Sequence, residues 1–316
     1  MPADPRLHPE MAAFGRIMEE RAAAFPPAVL ARPMDPGRAA NDALNMTLFT
    51  PEPRMAESAD RWVLSRGRRV FCRVHRPTTD ALLPVLIYAH GGGWVWSNVD
   101  THDTLMRAYA KGAGCAVLGV DYALSPEATF PQAPEEIAGV VRWIARHGGE
   151  WGLDGTRIAL GGDSAGGNLA LGTALLLRQS DPSLALRGLL LNYGVFDDTM
   201  ATPSYAEFAD GYGLTLEKMR FYWDAYAPDL ADRLSPYCAP IRADLRGLPP
   251  CLLHIAELDV LRDESRAMAG RLREAGVAVE EELFPGTVHG FLRALDHVAP
   301  ARDAVAKAGA WLRRTL

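Results

Sequence analysis

The chain has 316 residues, 48% hydrophobic and 23% charged, a balance that excludes a disordered or fibrous protein and leaves ample apolar surface for a buried core. Its formal charge is -6, and its basic residues are scattered rather than massed on one helix, so the electrostatic footprint of a nucleic-acid binder is missing. Four cysteines, Cys72, Cys115, Cys238 and Cys251, lie far apart without a CxxC pair or zinc-ligand spacing, which points to buried free thiols and to no metal.

In chain order, residues 9–24 place Met11, Phe14, Met18 and several alanines at helical spacing, and the Pro26-Pro27 pair is expected to stop that helix. The N-terminus has no basic start followed by an apolar run, and no later segment reaches 18 apolar residues without a break, so neither a signal peptide nor a membrane anchor is expected. The expectation is a soluble cytoplasmic protein. Residues 1 to about 55, rich in Pro and Ala in their second half, read as an arm over the core rather than as part of a sheet.

Short continuous apolar runs then recur at 84–89, 115–120, 157–161, 187–193 and 250–255, as strands buried on both faces of a parallel sheet require. Helical stretches at 101–112, 133–147, 165–179 and 262–275 alternate with them, with a late strand at 277–284 and a closing helix at 298–315. One interval breaks the rhythm. Between Tyr193 and Pro250 lie Tyr205, Phe208, Tyr212, Phe221, Tyr222, Trp223 and Tyr226, more aromatic surface than a crossover needs. An inserted cap is expected there, meeting the N-terminal arm above the carboxyl ends of the strands, where open α/β sheets bind ligands.

Two motifs carry chemistry. Gly162-Asp163-Ser164-Ala165-Gly166 is a GxSxG pentapeptide placed directly after a strand and directly before a helix, the context of a nucleophilic serine on a sharp turn. The glycines suit a turn so tight that flanking side chains would collide. The second motif, His90-Gly91-Gly92-Gly93-Trp94, ends a strand with backbone free of side chains, able to turn N–H groups toward a developing oxyanion. Gly92 and Gly93 are assigned as donors, with Ala165 as the third. His90 itself reads as a hydrogen-bonded structural residue.

With DYALSPEATFPQAPEE at 121–136, ELDVLRDE and VHGF added to these, the chain over about residues 80–295 resembles the hormone-sensitive-lipase family of esterases. The resemblance implies an α/β-hydrolase fold, here one domain over residues 1–316 with a mostly parallel sheet flanked by helices and cap elements at about 1–55 and 200–235. It also implies that Asp259 is the triad acid and His289 the base. The order Ser164, Asp259, His289 is the one this scaffold imposes, and both added residues follow predicted strands. Glu257 is the rival acid. The expected activity is hydrolysis of short- to medium-chain acyl esters, small-molecule substrates, through an acyl-enzyme and without a cofactor; a homodimer is implied by the resemblance alone.

Trp94, Trp96 and Tyr193 are expected to line the substrate pocket. Two other readings stay open at this point. Arylformamidases resemble the HGG and SAG segments and use the same triad on amides, and plant gibberellin receptors share the fold but lack the histidine that this chain retains at position 289.

Overall fold

The computed structural model describes residues 4–26 and 33–316. Its strands are β1 (Glu57–Ser65), β2 (Arg68–Arg76), β3 (Leu83–Ala89), β4 (Ala116–Asp121), β5 (Leu153–Asp163), β6 (Gly188–Asn192), β7 (Cys251–Leu258) and β8 (Val279–Val288). They form one sheet in the order β1-β2-β4-β3-β5-β6-β7-β8. β2 runs antiparallel to β1 and β4, and every other neighbouring pair is parallel.

The helices are α1 (Pro9–Ala22), α2 (Asp35–Met46), α3 (Asp103–Ala113), α4 (Gln132–His147), α5 (Ala165–Ser180), α6 (Pro203–Glu207), α7 (Leu216–Tyr226), α8 (Leu230–Arg233), α9 (Arg262–Glu274) and α10 (Ala299–Thr315). α3 packs on α10, and α4 packs on α5. The inner strands are therefore sealed between helical layers: all five residues of β6 are buried, as are seven of the eight in β7. This is why their sequences read as unbroken apolar runs. The α/β-hydrolase fold expected from the motifs is the fold observed.

The β1–β2 hairpin was not foreseen. Its strands carry Glu57, Asp60, Arg61, Arg69 and Arg73, and the outer strand is buried only at Val63 and Ser65, so no continuous apolar run marks it. Its turn residues, Arg66 at φ 53° and Gly67 at φ 73°, are both left-handed, as a two-residue hairpin turn of the right twist demands. α2 is a second element without a sequence expectation, a helix within the Pro- and Ala-rich half of the arm. α1 ends at Ala22, four residues before Pro26; Pro27 lies outside the described residues.

The arm lies on the body. Met11 and Phe14 of α1 are buried, and the His8 N–H donates to the Gly286 carbonyl at 2.9 Å. Arg38 of α2 donates to the carbonyls of Val95 at 2.9 Å and Ser125 at 2.8 Å, tying the helix both to the loop after the glycine run and to the loop after β4. Cys72, Cys115, Cys238 and Cys251 are buried and unpaired, and burial pushes each thiol pKa up. Among the described residues no helix is long and apolar enough to cross a membrane.

Candidate active site

Ser164 stands between β5 and α5 at φ 56° and ψ -121°, a conformation that side-chain-bearing residues rarely adopt. Its N–H donates to the Asn192 carbonyl of β6 at 2.9 Å, anchoring the turn to the neighbouring strand. The glycines beside it are steric necessities. A Cβ on Gly166 would strike the Ala89 carbonyl oxygen, and one on Gly162 would strike the Gly166 backbone.

Three side chains converge there from separate loops. Ser164 Oγ lies 2.8 Å from His289 Nε2, and His289 Nδ1 lies 2.7 Å from Asp259 Oδ2. With the carboxylate accepting, Nδ1 carries the proton and Nε2 is left to accept from the serine hydroxyl. Asp259 is buried, one residue beyond the end of β7, and its Oδ1 accepts the Leu261 N–H at 3.0 Å. Glu257 is still in β7 and faces elsewhere: its Oε2 accepts the Gly286 N–H at 2.7 Å. The Tyr193 ring meets the His289 ring edge-on at 5.0 Å and limits its tilt.

The glycine run curls beside the serine. Gly92 has φ 126° and Gly93 φ 60°, and a Cβ on Gly93 would sit 2.6 Å from the Tyr222 ring. Among the described residues, no acceptor takes the N–H groups of Gly92, Gly93 or Ala165. Asp163, the residue before the serine, holds this loop: its Oδ1 accepts from the Gly91 N–H at 3.0 Å and from the Tyr88 hydroxyl at 2.9 Å, with His102 Nε2 at 3.4 Å. Burial alone would raise the Asp163 pKa, but His102 and the hydrogen bonds outweigh it and the net shift is downward. His90 stacks on Tyr122 at 4.3 Å and hydrogen-bonds within its own loop; burial lowers its pKa to about 3, so it is a neutral structural group.

A cavity of about 330 Å³ opens over Ser164 and His289, walled by Gly91, Gly92, Gly93, Trp96, Leu214 and Tyr222. Of the aromatic residues expected to line it, Trp96 does so, its Nε1–H donating to the Tyr222 hydroxyl at 3.1 Å. Trp94 instead stacks on Tyr226 at 4.3 Å, inside the core, and Tyr193 lies behind His289. The difference is one of backbone direction: Trp94, at φ 61°, turns inward and leaves the position two residues later to face the opening.

Contributors without a sequence assignment include Asn41 from α2, His102, Lys218 from α7, Arg293, and Asp163 in its loop-holding role. Only Asp163 had a sequence signal, its place inside the GDSAG motif. The others are ordinary polar letters until the fold gathers them.

Residues 86–293 match the family model described as the alpha/beta hydrolase fold. An acetyl esterase of Salmonella choleraesuis is 39% identical over 234 residues, covering 73% of this chain and 71% of that protein. A thermostable esterase from Pseudomonas putida ECU1011 superposes with a TM-score of 0.93 at 35% identity, over 100% of this chain and 99% of its own. A hyperthermophilic esterase from the archaeon Pyrobaculum calidifontis superposes with a TM-score of 0.90 at 32% identity, over 99% of both chains.

Proposed function

The chain belongs to the alpha/beta hydrolase fold family and is a carboxylesterase, and from that premise we propose that it hydrolyses short-chain acyl esters with Ser164 as nucleophile, His289 as general base and Asp259 as the carboxylate that orients it. The observation that carries this reading is the unbroken relay from Ser164 Oγ through both ring nitrogens of His289 to Asp259, at 2.8 and 2.7 Å.

In this mechanism His289 Nε2 takes the Ser164 proton as Oγ bonds to the ester carbonyl carbon. The carbonyl oxygen becomes an oxyanion held by the N–H groups of Gly92, Gly93 and Ala165, which cost no reorganisation because the loop is fixed beforehand by Asp163. His289 then protonates the alkoxy oxygen, the alcohol departs and an acyl-enzyme remains. Water enters, gives a proton to the same nitrogen and attacks the acyl carbon; collapse returns the proton to Ser164 and frees the acid. Asp259 stays ionised and stabilises the imidazolium in both halves.

The cavity of about 330 Å³ lies at the small end of ligand sites, which supports a short acyl group. The arm and the 200–235 insertion act as its cap, since Asn41, Leu214, Lys218 and Tyr222 come from them. A cytoplasmic location is proposed from the four unpaired thiols. A homodimer is proposed from the edge of β8, whose outer side pairs with no strand among the described residues; light scattering tests it. A panel of p-nitrophenyl esters of increasing chain length beside matched anilides tests the activity. Fastest turnover on two- to four-carbon esters is expected, and anilides cleaved faster than esters would refute the reading.

A further inference from the structure

In a chain with 39 acidic and 33 basic residues, most cations near the cap are tied to carboxylates. Arg38 pairs with Glu127, Arg233 with Asp224, and Arg262 with Glu207 and Asp263. Two cations that line the active-site cavity break this pattern. Arg293 sits one short turn after His289, its backbone N–H donating to the Gly290 carbonyl at 3.1 Å. Lys218 comes from α7, and its Nζ meets only a carbonyl, that of Gly213 at 2.8 Å. Among the described residues neither forms an ion pair.

The surroundings set the two cations against each other. Both side chains are exposed and open to the cavity, and reduced hydration beside the protein lowers the pKa of each; for Lys218 the charge of Arg293 adds to the effect, so the two cations repel each other across the same space. Asp210 opposes the shift at Lys218, and Asp163, Tyr193 and Tyr222 oppose it at Arg293. Asp163 is the single carboxylate lining the cavity among the described residues, and its Oδ1 is already committed to Gly91 and Tyr88. Two unpaired cations facing one small cavity, whose one carboxylate among the described residues already accepts from Gly91 and Tyr88, are poised for an anionic ligand.

We propose that Arg293 and Lys218 form an anion subsite beside the nucleophile, and that the preferred substrates are short esters bearing a free carboxylate within a few bonds of the scissile carbonyl. The inference rests on the esterase reading, because it assigns to that same cavity the chemistry of its substrate. The guanidinium can take a carboxylate through two parallel N–H donors, while the ammonium adds a point charge. Leu214, Trp96 and Tyr222 supply the apolar wall for the rest of the molecule.

The test compares matched pairs of esters on the full-length protein. With the carboxylate on the acyl side, the pair is 4-nitrophenyl hemisuccinate and its neutral methyl ester; with the carboxylate on the alcohol side, it is 2-acetoxyacetate and methyl 2-acetoxyacetate. Each rate is divided by the ester's own hydroxide-catalysed rate. In at least one pair the anionic member should be preferred in kcat/KM by about 10- to 100-fold, the range for a hydrogen bond to a charged group. Arg293→Gln and Lys218→Gln, each checked for native folding, should cut that preference about 10-fold, mainly through KM. Neutral members preferred in both pairs, or a preference unchanged in both variants, would overturn the subsite. Turnover of none of the four esters would instead count against the esterase reading. The subsite is then judged by calorimetry on the Ser164→Ala protein, which should bind the hemisuccinate at least 10-fold more tightly than its methyl ester; equal affinities would overturn it.

Discussion

Replacing Asp259 by asparagine should cripple the enzyme whichever way the amide turns. The carboxylate accepts two hydrogen bonds, from His289 Nδ1 at 2.7 Å and from the Leu261 N–H at 3.0 Å, in a buried site. An amide has one oxygen to offer. If that oxygen stays on Leu261, the NH2 group faces Nδ1, forces the ring proton onto Nε2 and leaves Ser164 with no base; the same exchange in a well-studied triad costs about 10⁴-fold. If the oxygen turns to His289, the NH2 group meets the Leu261 N–H, and an unsatisfied buried donor costs about 1–3 kcal/mol, or about 10- to 100-fold if all of it falls on the competent state. The loss in kcat should therefore lie between about 10- and 10⁴-fold, toward the upper figure if the wrong tautomer prevails. Glu257→Gln is the control. Its Oε2 accepts a single N–H, from Gly286 at 2.7 Å, which an amide oxygen can also accept, so a loss below about threefold is expected. Initial rates on p-nitrophenyl acetate at neutral pH, after circular dichroism has confirmed folding, decide it. An active Asp259→Asn beside an inactive Glu257→Gln would refute the assignment.

Gly92→Ala should lower kcat by about 100-fold with a smaller change in KM, because its Cβ would strike the Trp96 carbonyl and displace the donor loop; a variant with wild-type kcat would remove Gly92 from the oxyanion site. Deleting residues 1–40 removes Arg38 and its ties to Val95 and Ser125, so KM should rise and the ester chain-length profile should broaden; an unchanged profile would show that the arm does not shape the pocket. His254 is buried with neither ring nitrogen bonded, and burial lowers its pKa from 6.5 to about 3. Below pH 6.5 the unfolded chain takes a proton that the native state refuses until about pH 3, so stability should fall as pH drops through that window. His254→Leu should lessen the loss between pH 7 and 5 by up to about 2 kcal/mol in urea titrations, and identical slopes would contradict it.

The inner sheet was legible because the central stretches of β3 to β7 are covered on both sides and so form short apolar runs. β1 and β2 escaped because their charged residues serve a half-solvated edge and their turn rests on Arg66 and Gly67 rather than on an Asn-Gly pair. The motif residues were legible for a related reason: a tight strand-to-helix turn and an inward-facing backbone permit few residue types, so Gly92, Gly93, Gly162 and Gly166 mark their places in the sequence. Pocket walls face no such restriction. Trp94 and Trp96 are equivalent as letters, and only the turn at Trp94 sends one into the core and the other to the opening. Lys218 and Arg293 belong to no motif, and it is α7 and the turn after β8 that bring them to the same cavity as Ser164.

The most direct measurement is the mass of the chain after reaction with a fluorophosphonate probe, followed by peptide mapping. One adduct per chain on the tryptic segment between Arg157 and Arg178, at Ser164, is expected, with ester hydrolysis lost in proportion to labelling and with no adduct on Ser164→Ala. Labelling at another residue, or full activity in the labelled protein, would contradict Ser164 as the nucleophile.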